Sequence, residues 1–134
     1  MILVDTSAWV ELLRATGSRA HLRLRELLQG GEALATTEVV VMEVLAGAQD
    51  DAHLDRMRRA LLGRCQTIAG HGLGDYEDAA AIYRHCRSHG ATLRGLTDCV
   101  VAAVAIRAGV PVLHADQDFE QIARLSRLTT VPLD

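Results

Sequence analysis

The chain opens with MILVDTSAWV (residues 1–10), in which four apolar residues run directly into the carboxylate of Asp5. A short, continuously apolar run is typical of a strand buried on both faces of a parallel sheet. A helical pattern follows at once, and Ser7 is a suitable N-cap for that helix. The stretch therefore predicts a buried strand at residues 2–4 that delivers Asp5 to an edge of the sheet.

The same pattern recurs in VPVLHADQDF (residues 110–119), where an apolar run is followed by Asp116 and Asp118. Further strands are predicted at 33–36, 65–69 and 128–133, and helices at 8–14, 18–29, 38–46, 51–64, 75–89, 98–108 and 118–125. This order predicts one α/β domain over residues 1–134, with a mostly parallel sheet of four to five strands and helices on both faces. Such sheets bind ligands beyond the carboxyl ends of their strands, where the strand order reverses.

Composition excludes several classes of protein. The chain has 134 residues, 49% of them hydrophobic, which is typical of a globular domain. Its longest apolar run, CVVAAVAI (residues 99–106), is far short of the roughly 20 residues of a membrane span. No signal peptide is recognisable, and the three cysteines lack the spacing of a disulfide framework. We therefore expect a cytoplasmic protein with free thiols and no membrane association.

The basic residues narrow the possible chemistry. All fourteen are arginine, so the chain has no lysine. A phosphate-binding loop of the Gly-Lys type is excluded, because it requires that lysine. Arginine can still bind phosphate through its planar guanidinium group.

Four carboxylates are candidates for a shared site: Asp5, Glu43, Asp98 and Asp116. Glu43 lies among apolar neighbours in VVVMEVLAG (residues 39–47), where a buried carboxylate is costly unless it is paired or bound to metal. The others have structural alternatives. Asp5 could cap the first helix, and Asp98 follows Thr97, a predicted N-cap, at a helix start where the dipole favours an acid. Asp118 could likewise cap the helix after the last buried strand.

Several converging carboxylates would repel one another without a cation. An all-oxygen ligand set selects Mg²⁺ or Mn²⁺, and such a site suits the hydrolysis of phosphodiester bonds. The net charge is −3, and it becomes +1 when the four candidate ligands are set aside (−3 + 4). The overall negative charge therefore does not exclude a nucleic-acid substrate.

Three stretches together resemble one known family: LVDTSAWVELL (3–13), TTEVVVMEVLAGA (36–48) and LTDCVVAAVAIRAGVPVLHADQDFEQIA (96–123). They resemble PIN-domain ribonucleases and, more narrowly, VapC-type toxins of bacterial type II toxin–antitoxin systems. The resemblance implies an acidic quartet holding Mg²⁺, with Mn²⁺ able to substitute. The quartet is Asp5, Glu43, Asp98 and Asp116. The implied auxiliary residues are Asp118, Thr6, Ser7 and Thr97.

The resemblance also implies a function. It predicts a metal-dependent endoribonuclease that cuts transfer or ribosomal RNA, forms a homodimer and is neutralised by a small VapB-type antitoxin, commonly through a basic side chain. Aromatic residues are only 3% of the chain, so few side chains are available to stack on RNA bases. Arginine contacts are therefore expected to provide most of the RNA recognition. Arg94, in the loop before Asp98, is the candidate RNA contact. The alternative is a non-catalytic PIN-fold module that binds RNA or a protein partner.

Overall fold

The computed structural model describes residues 1–133; Asp134, the last residue of the predicted domain, lies outside this range. Within the described range there are four strands and seven helices. The strands are β1 (Ile2–Val4), β2 (Leu34–Thr37), β3 (Cys65–Ile68) and β4 (Val112–Leu113). The helices are α1 (Thr6–Leu13), α2 (Arg19–Gln29), α3 (Glu38–Ala46), α4 (Asp51–Arg64), α5 (Leu73–Ser88), α6 (Thr97–Ala108) and α7 (Gln117–Leu125).

The sheet is parallel throughout and has the order β3-β2-β1-β4. Leu3 of β1 pairs with Ala35 on one side and with Val112 on the other. The chain steps from β1 through β2 to β3 in one direction and then returns to place β4 beyond β1. Crossovers between parallel strands are right-handed, so α1–α4 cover one face and α5 and α6 cover the other. The order of the sheet therefore reverses between β1 and β4.

The central strands are buried, as their apolar runs predict. Leu3, Val4, Val112 and Leu113 have no exposed surface, and all four residues of β2 are buried. Helix α6 is also buried along most of its length, from Cys99 to Ala105. Because these strands are buried on both faces, they lack the alternation of apolar and polar residues that a half-exposed strand shows. Helix α6 is apolar nearly all round for the same reason.

The fifth predicted strand, at residues 128–133, is not formed. Only one isolated parallel bridge joins Val112 to Thr130, made by the hydrogen bonds Val112 N–H to Thr129 O (3.0 Å) and Val131 N–H to Val112 O (2.9 Å). The pairing ends at this bridge because β4 offers only Val112 and Leu113 as partners; Pro132 follows with its nitrogen facing away from β4, where a missing N–H is tolerated. The predicted strand at 110–115 is likewise shortened to the two residues of β4.

Two predicted helix caps are wrong. Helix α1 begins at Thr6, directly after β1, so its N-cap is Asp5 and not Ser7. Helix α6 begins at Thr97 itself, and its N-cap is Leu96, which makes no side-chain capping bond. Leu96 already has helical backbone angles, and its carbonyl accepts from the N–H groups of Cys99 and Val100. The predicted end of α6 is confirmed, since Gly109 adopts a left-handed C-cap conformation.

The three cysteines, at positions 65, 86 and 99, are buried and free, as predicted. Across residues 1–133, none of the helices combines the length and the apolar character that a bilayer crossing requires.

Candidate active site

The candidate site lies where the order of the sheet reverses, at the carboxyl ends of β1 and β4. Asp5 and Asp116 follow these neighbouring strands, and each caps the helix that comes next. The backbone N–H of Asp5 donates to the carbonyl of Leu113 at 2.9 Å, which ties the two strand ends together. The predicted meeting of the two strands is confirmed, and each of these aspartates serves as a helix cap in addition to facing the site.

Ser7 holds the β1 end of the site against the β4 end. Its hydroxyl donates to Asp5 Oδ2 at 2.6 Å and accepts from the N–H of Ala115 at 2.9 Å, while its own N–H donates to Asp5 Oδ2 at 2.9 Å. The other oxygen, Asp5 Oδ1, is buried and has no hydrogen-bond partner among the described residues. Burial raises the pKa of Asp5, although the Ser7 bonds oppose it.

Glu43 joins the site from α3. Thr6 Oγ1 donates to Glu43 Oε1 at 2.9 Å, which fixes the carboxylate beside the start of α1. The sequence predicts a buried Glu43, but the residue is half-buried, because α3 buries only Val40 and Val44 and leaves Met42 58% exposed. Glu43 lines a cleft of about 280 Å³ together with Arg14, Gln49 and His53, so its carboxylate is accessible from solvent.

Three carboxylates form the centre of the site. One oxygen each of Asp98, Asp116 and Asp118 lies within 4.8 Å of the others, and no other such group of His, Cys, Asp or Glu occurs in residues 1–133. Burial, followed by the negative charges of Asp5, Asp116, Asp118 and Glu43, raises the pKa of Asp98 to about 7. The five acids therefore form one electrostatic group.

Asp118 is more central than the auxiliary role implied by the resemblance. It is not the cap of α7, because Asp116 fills that position and its Oδ1 accepts from the N–H of Asp118 at 3.0 Å. The Asp118 side chain is buried, and its Oδ2 accepts from the N–H of Arg94 at 2.8 Å. Thr97, by contrast, is exposed at the start of α6.

His114 is a supporting residue that the sequence analysis missed. Its Nδ1 accepts from the backbone N–H of Asp116 at 3.1 Å, so the proton on Nε2 donates to Glu120 Oε1, 2.8 Å away. The buried ring also stacks on Phe119, with a centroid separation of 5.2 Å. The interaction fixes the loop that carries Asp116. The sequence feature that could have indicated this role is the position of His114 in VLHAD, two residues before Asp116.

Arg94 contacts the acidic cluster itself, in addition to being the candidate RNA contact. Its Nη2 donates to Asp116 Oδ1 at 2.6 Å, and its Nε lies 3.9 Å from Asp118 Oδ1. The guanidinium group therefore partly neutralises the cluster.

Neutralising Asp98 should stabilise the metal-free protein. The pKa of Asp98 is about 7 in the folded protein, against an ordinary value of 3.8. Between these two pH values, the Asp98 carboxyl therefore keeps its proton in the folded protein and has lost it in the unfolded chain. Stability should therefore fall as the pH rises from 4 to 7, by roughly 2–4 kcal/mol. We expect Asp98→Asn to remove this slope and to be more stable than wild type at pH 8 in chelator, as measured by urea unfolding.

Asp51→Asn provides the matched control, since Asp51 is an exposed acid in the first turn of α4. It should lose only the few tenths of a kcal/mol that such an acid gains from the helix dipole. A less stable Asp98→Asn at pH 8 would mean that Asp98 acts mainly as a helix-terminal acid.

Comparison with known proteins places the chain in a family. The model of the PIN domain matches residues 2–125. The chain is 44% identical over 129 residues to ribonuclease VapC11 of Mycobacterium tuberculosis, covering 96% of each protein, and equally identical to a VapC ribonuclease of Mycobacterium bovis.

Solved structures share the fold. VapBC2 from Rickettsia felis, bound to a DNA fragment from its promoter, aligns with a TM-score of 0.73 at 16% identity over 98% of both chains. VapC20 of M. tuberculosis, a toxin that cleaves the sarcin–ricin loop, aligns with a TM-score of 0.68 at 18% identity over 90% of this chain and 93% of that one. The chain belongs to the PIN-domain family and, within it, to the VapC ribonucleases.

Proposed function

We propose that this protein is a metal-dependent endoribonuclease, the toxin of a toxin–antitoxin pair, with residues 1–134 acting as one PIN-like nuclease domain. The observation that carries the proposal is the convergence of Asp98, Asp116 and Asp118 within 4.8 Å at the point where the sheet order reverses. The 44% identity to VapC ribonucleases over nearly the whole chain supports the same activity.

The residues fit a hard divalent cation. The unpartnered, buried Asp5 Oδ1 and the raised pKa of Asp98 are both explained by a positive charge that these oxygens are arranged to bind. We propose that Asp5, Asp98 and Asp116 hold Mg²⁺ or Mn²⁺, with Asp118 and Glu43 completing the carboxylate shell. The bound ion would supply Lewis-acid chemistry, lowering the pKa of water and neutralising charge on the phosphoryl group.

Glu43 is the candidate for aligning or deprotonating the attacking water. Thr6 orients its carboxylate through the 2.9 Å hydrogen bond, and because Glu43 is only half-buried, water can reach it. Attack by water in line with the leaving oxygen would break the P–O3′ bond and leave a 5′-phosphate and a 3′-hydroxyl. Arg94, at the exposed rim, is the candidate for binding an RNA phosphate.

Three partners follow from the proposal. The substrate class is single-stranded or loop RNA, with transfer and ribosomal RNA as the first candidates. A VapB-type antitoxin is supported by the fold shared with the Rickettsia felis VapBC2 complex. A second copy of the chain is the third partner, and the exposed apolar side chains of Met42, Leu73, Tyr76 and Leu96 are available for contacts of this kind.

The proposed function is tested by cleavage of total bacterial RNA. Purified toxin, freed of antitoxin, should produce discrete cuts in 5 mM Mg²⁺ or Mn²⁺ and none in excess chelator, and returning the metal should restore the cuts. Mapping of the ends should show 5′-phosphates. A 2′,3′-cyclic phosphate would mean that the RNA 2′-hydroxyl attacked in place of water.

RNA binding without cleavage, by protein shown to be folded, would instead favour the non-catalytic binding module. The presence of all five acids in one electrostatic group is the observation against that alternative, because a module that only binds RNA gains nothing from a concentration of negative charge.

A further inference from the structure

Arg94 is the cation that faces the acidic cluster from within the chain. Its guanidinium group contacts Asp116 Oδ1 at 2.6 Å and approaches Asp118 Oδ1 at 3.9 Å, while its backbone N–H is anchored on Asp118 Oδ2 at 2.8 Å. The Arg94 side chain is 74% exposed, whereas the Asp116 and Asp118 side chains are 23% and 4% exposed. The guanidinium group can therefore swing into solvent while the loop that carries it stays in place.

The oxygen that Arg94 contacts has no acceptor site to spare. A carboxylate oxygen has about two lone-pair sites. At Asp116 Oδ1 one of them accepts the N–H of Asp118 at 3.0 Å, which is the capping bond of α7, and the other accepts Arg94 Nη2. The capping bond is part of the helix, so the guanidinium is the donor that can leave. A divalent cation would therefore bind the other oxygen, Asp116 Oδ2, and on the same carboxylate as the guanidinium it would be repelled by that positive charge.

An RNA phosphate offers the guanidinium an alternative partner. Guanidinium groups bind phosphate through two parallel hydrogen bonds, and the exposed position of Arg94 makes that geometry accessible from solvent. Once Arg94 pairs with phosphate, its positive charge leaves Asp116, and a cation can bind this carboxylate without that repulsion.

We propose that Arg94 is a built-in competitor of the metal ion: it holds Asp116 in the free protein and transfers to an RNA phosphate, so that metal and RNA bind cooperatively. This inference rests on the proposed function, since it requires a cation at Asp116. It makes Arg94 a substrate-binding residue whose exchange of partners couples two ligands. By linkage, RNA tightens metal binding by the same factor by which metal tightens RNA binding.

The first test measures Mn²⁺ binding alone, by the loss of the free-ion signal in electron paramagnetic resonance. Arg94→Gln should bind Mn²⁺ about fivefold more tightly than wild type, because the exposed ion pair between Arg94 and Asp116 no longer competes with the metal ion. Arg59→Gln is the matched control, since Arg59 lies exposed on α4 and its loss changes the net charge equally. That control should bind Mn²⁺ like wild type.

Equal or weaker Mn²⁺ binding by Arg94→Gln would overturn the proposal, since the ion and the guanidinium would then occupy the site side by side, and it would leave the nuclease function standing. Tighter binding by both variants would also overturn it, by assigning the effect to net charge. Absence of Mn²⁺ binding in all three proteins would overturn the metal site itself and the proposal with it.

The second test measures the coupling directly. Fluorescence anisotropy of a labelled single-stranded RNA decamer is recorded in chelator and in Ca²⁺, with intact RNA verified on a gel. Ca²⁺ should tighten RNA binding by wild type, and this tightening should be about fivefold smaller in Arg94→Gln. An unchanged coupling factor in the variant would contradict the transfer of Arg94 from Asp116 to phosphate.

Discussion

Asp5→Asn should abolish RNA cleavage while leaving the fold intact. The substitution removes one negative charge from the candidate metal site and leaves the number of non-hydrogen atoms unchanged, so we expect a loss on the order of 10³-fold in the cleavage rate. The rate is best measured on a single mapped cut under single-turnover conditions, which separates the chemical step from RNA binding and product release.

The stability of the variant follows from the two roles of Asp5. As the N-cap of α1 it accepts from the N–H and hydroxyl of Ser7, and an asparagine oxygen can accept both bonds. As a buried carboxylate with a raised pKa it is costly to ionise, so a neutral amide relieves repulsion in the metal-free protein. We therefore expect an unfolding free energy within about 1 kcal/mol of wild type.

Asp50→Asn is a close control for the Asp5 substitution. Asp50 is the N-cap of α4 and accepts from the N–H of His53 at 2.7 Å, so the change is chemically the same at a cap outside the acidic cluster. It should leave cleavage at the wild-type rate. Unfolded Asp5→Asn would assign Asp5 to the helix cap alone, and a folded, fully active Asp5→Asn would remove it from the proposed metal shell.

The sequence predicts the framework of the site because local rules determine it. Continuous apolar runs identify the buried β1 and β4; Asp5 directly follows β1, and Asp116 lies three residues after β4. The double role of both aspartates is partly hidden in the sequence: for Asp5, capping and metal binding stand as alternatives, and for α7 the sequence offers Asp118 as the cap in place of Asp116. The structure has both aspartates as helix caps at the edge where the cluster forms. At a strand-to-helix junction one carboxylate oxygen can cap while the other faces the site.

The interactions that the sequence does not predict join residues far apart in the chain. The pair Arg94 and Asp116 is separated by 22 positions, and Arg107 and Asp75 by 32. No periodicity relates such positions, because their distance depends on how α6 packs on α5 in one pair and on how the loop before α6 meets the start of α7 in the other. The failed strand at 128–133 has a different cause: apolar and β-branched residues predict it, but β4 offers only the two residues Val112 and Leu113 as partners, so the pairing ends at one bridge.

The second large effect should come from Asp75, a buried acid outside the candidate site. Its carboxylate accepts from Arg107 Nε and Nη2, both at 3.0 Å, and from the N–H of His71 at 2.7 Å. Arg107 also donates to the carbonyl of Ala69 at 2.9 Å. The Asp75 side chain is only 4% exposed and that of Arg107 24%, so this ion pair fastens the start of α5 and the loop before it to the end of α6.

Asp75→Asn should lower the unfolding free energy by about 2–3 kcal/mol, because it leaves the guanidinium of Arg107 largely buried and facing an amide that cannot neutralise it. This corresponds to a fall in Tm of roughly 10 °C for a chain of this length. Urea unfolding at pH 7 in chelator measures the loss. Asp78→Asn, at an exposed position on the same helix, should change the unfolding free energy by less than about 0.5 kcal/mol.

The pH dependence of this difference identifies its cause. Hydrogen bonds from Arg107 hold the pKa of Asp75 below its ordinary value of 3.8. The pair therefore contributes its full stability above pH 4 and loses it as the pH falls through the pKa of the folded state, so the gap between wild type and Asp75→Asn should narrow in acid. Asp75→Leu combined with Arg107→Met should recover most of the loss, since it removes both charges together. A double variant as unstable as Asp75→Asn, with a gap that does not vary with pH, would assign the effect to packing of the α5–α6 junction.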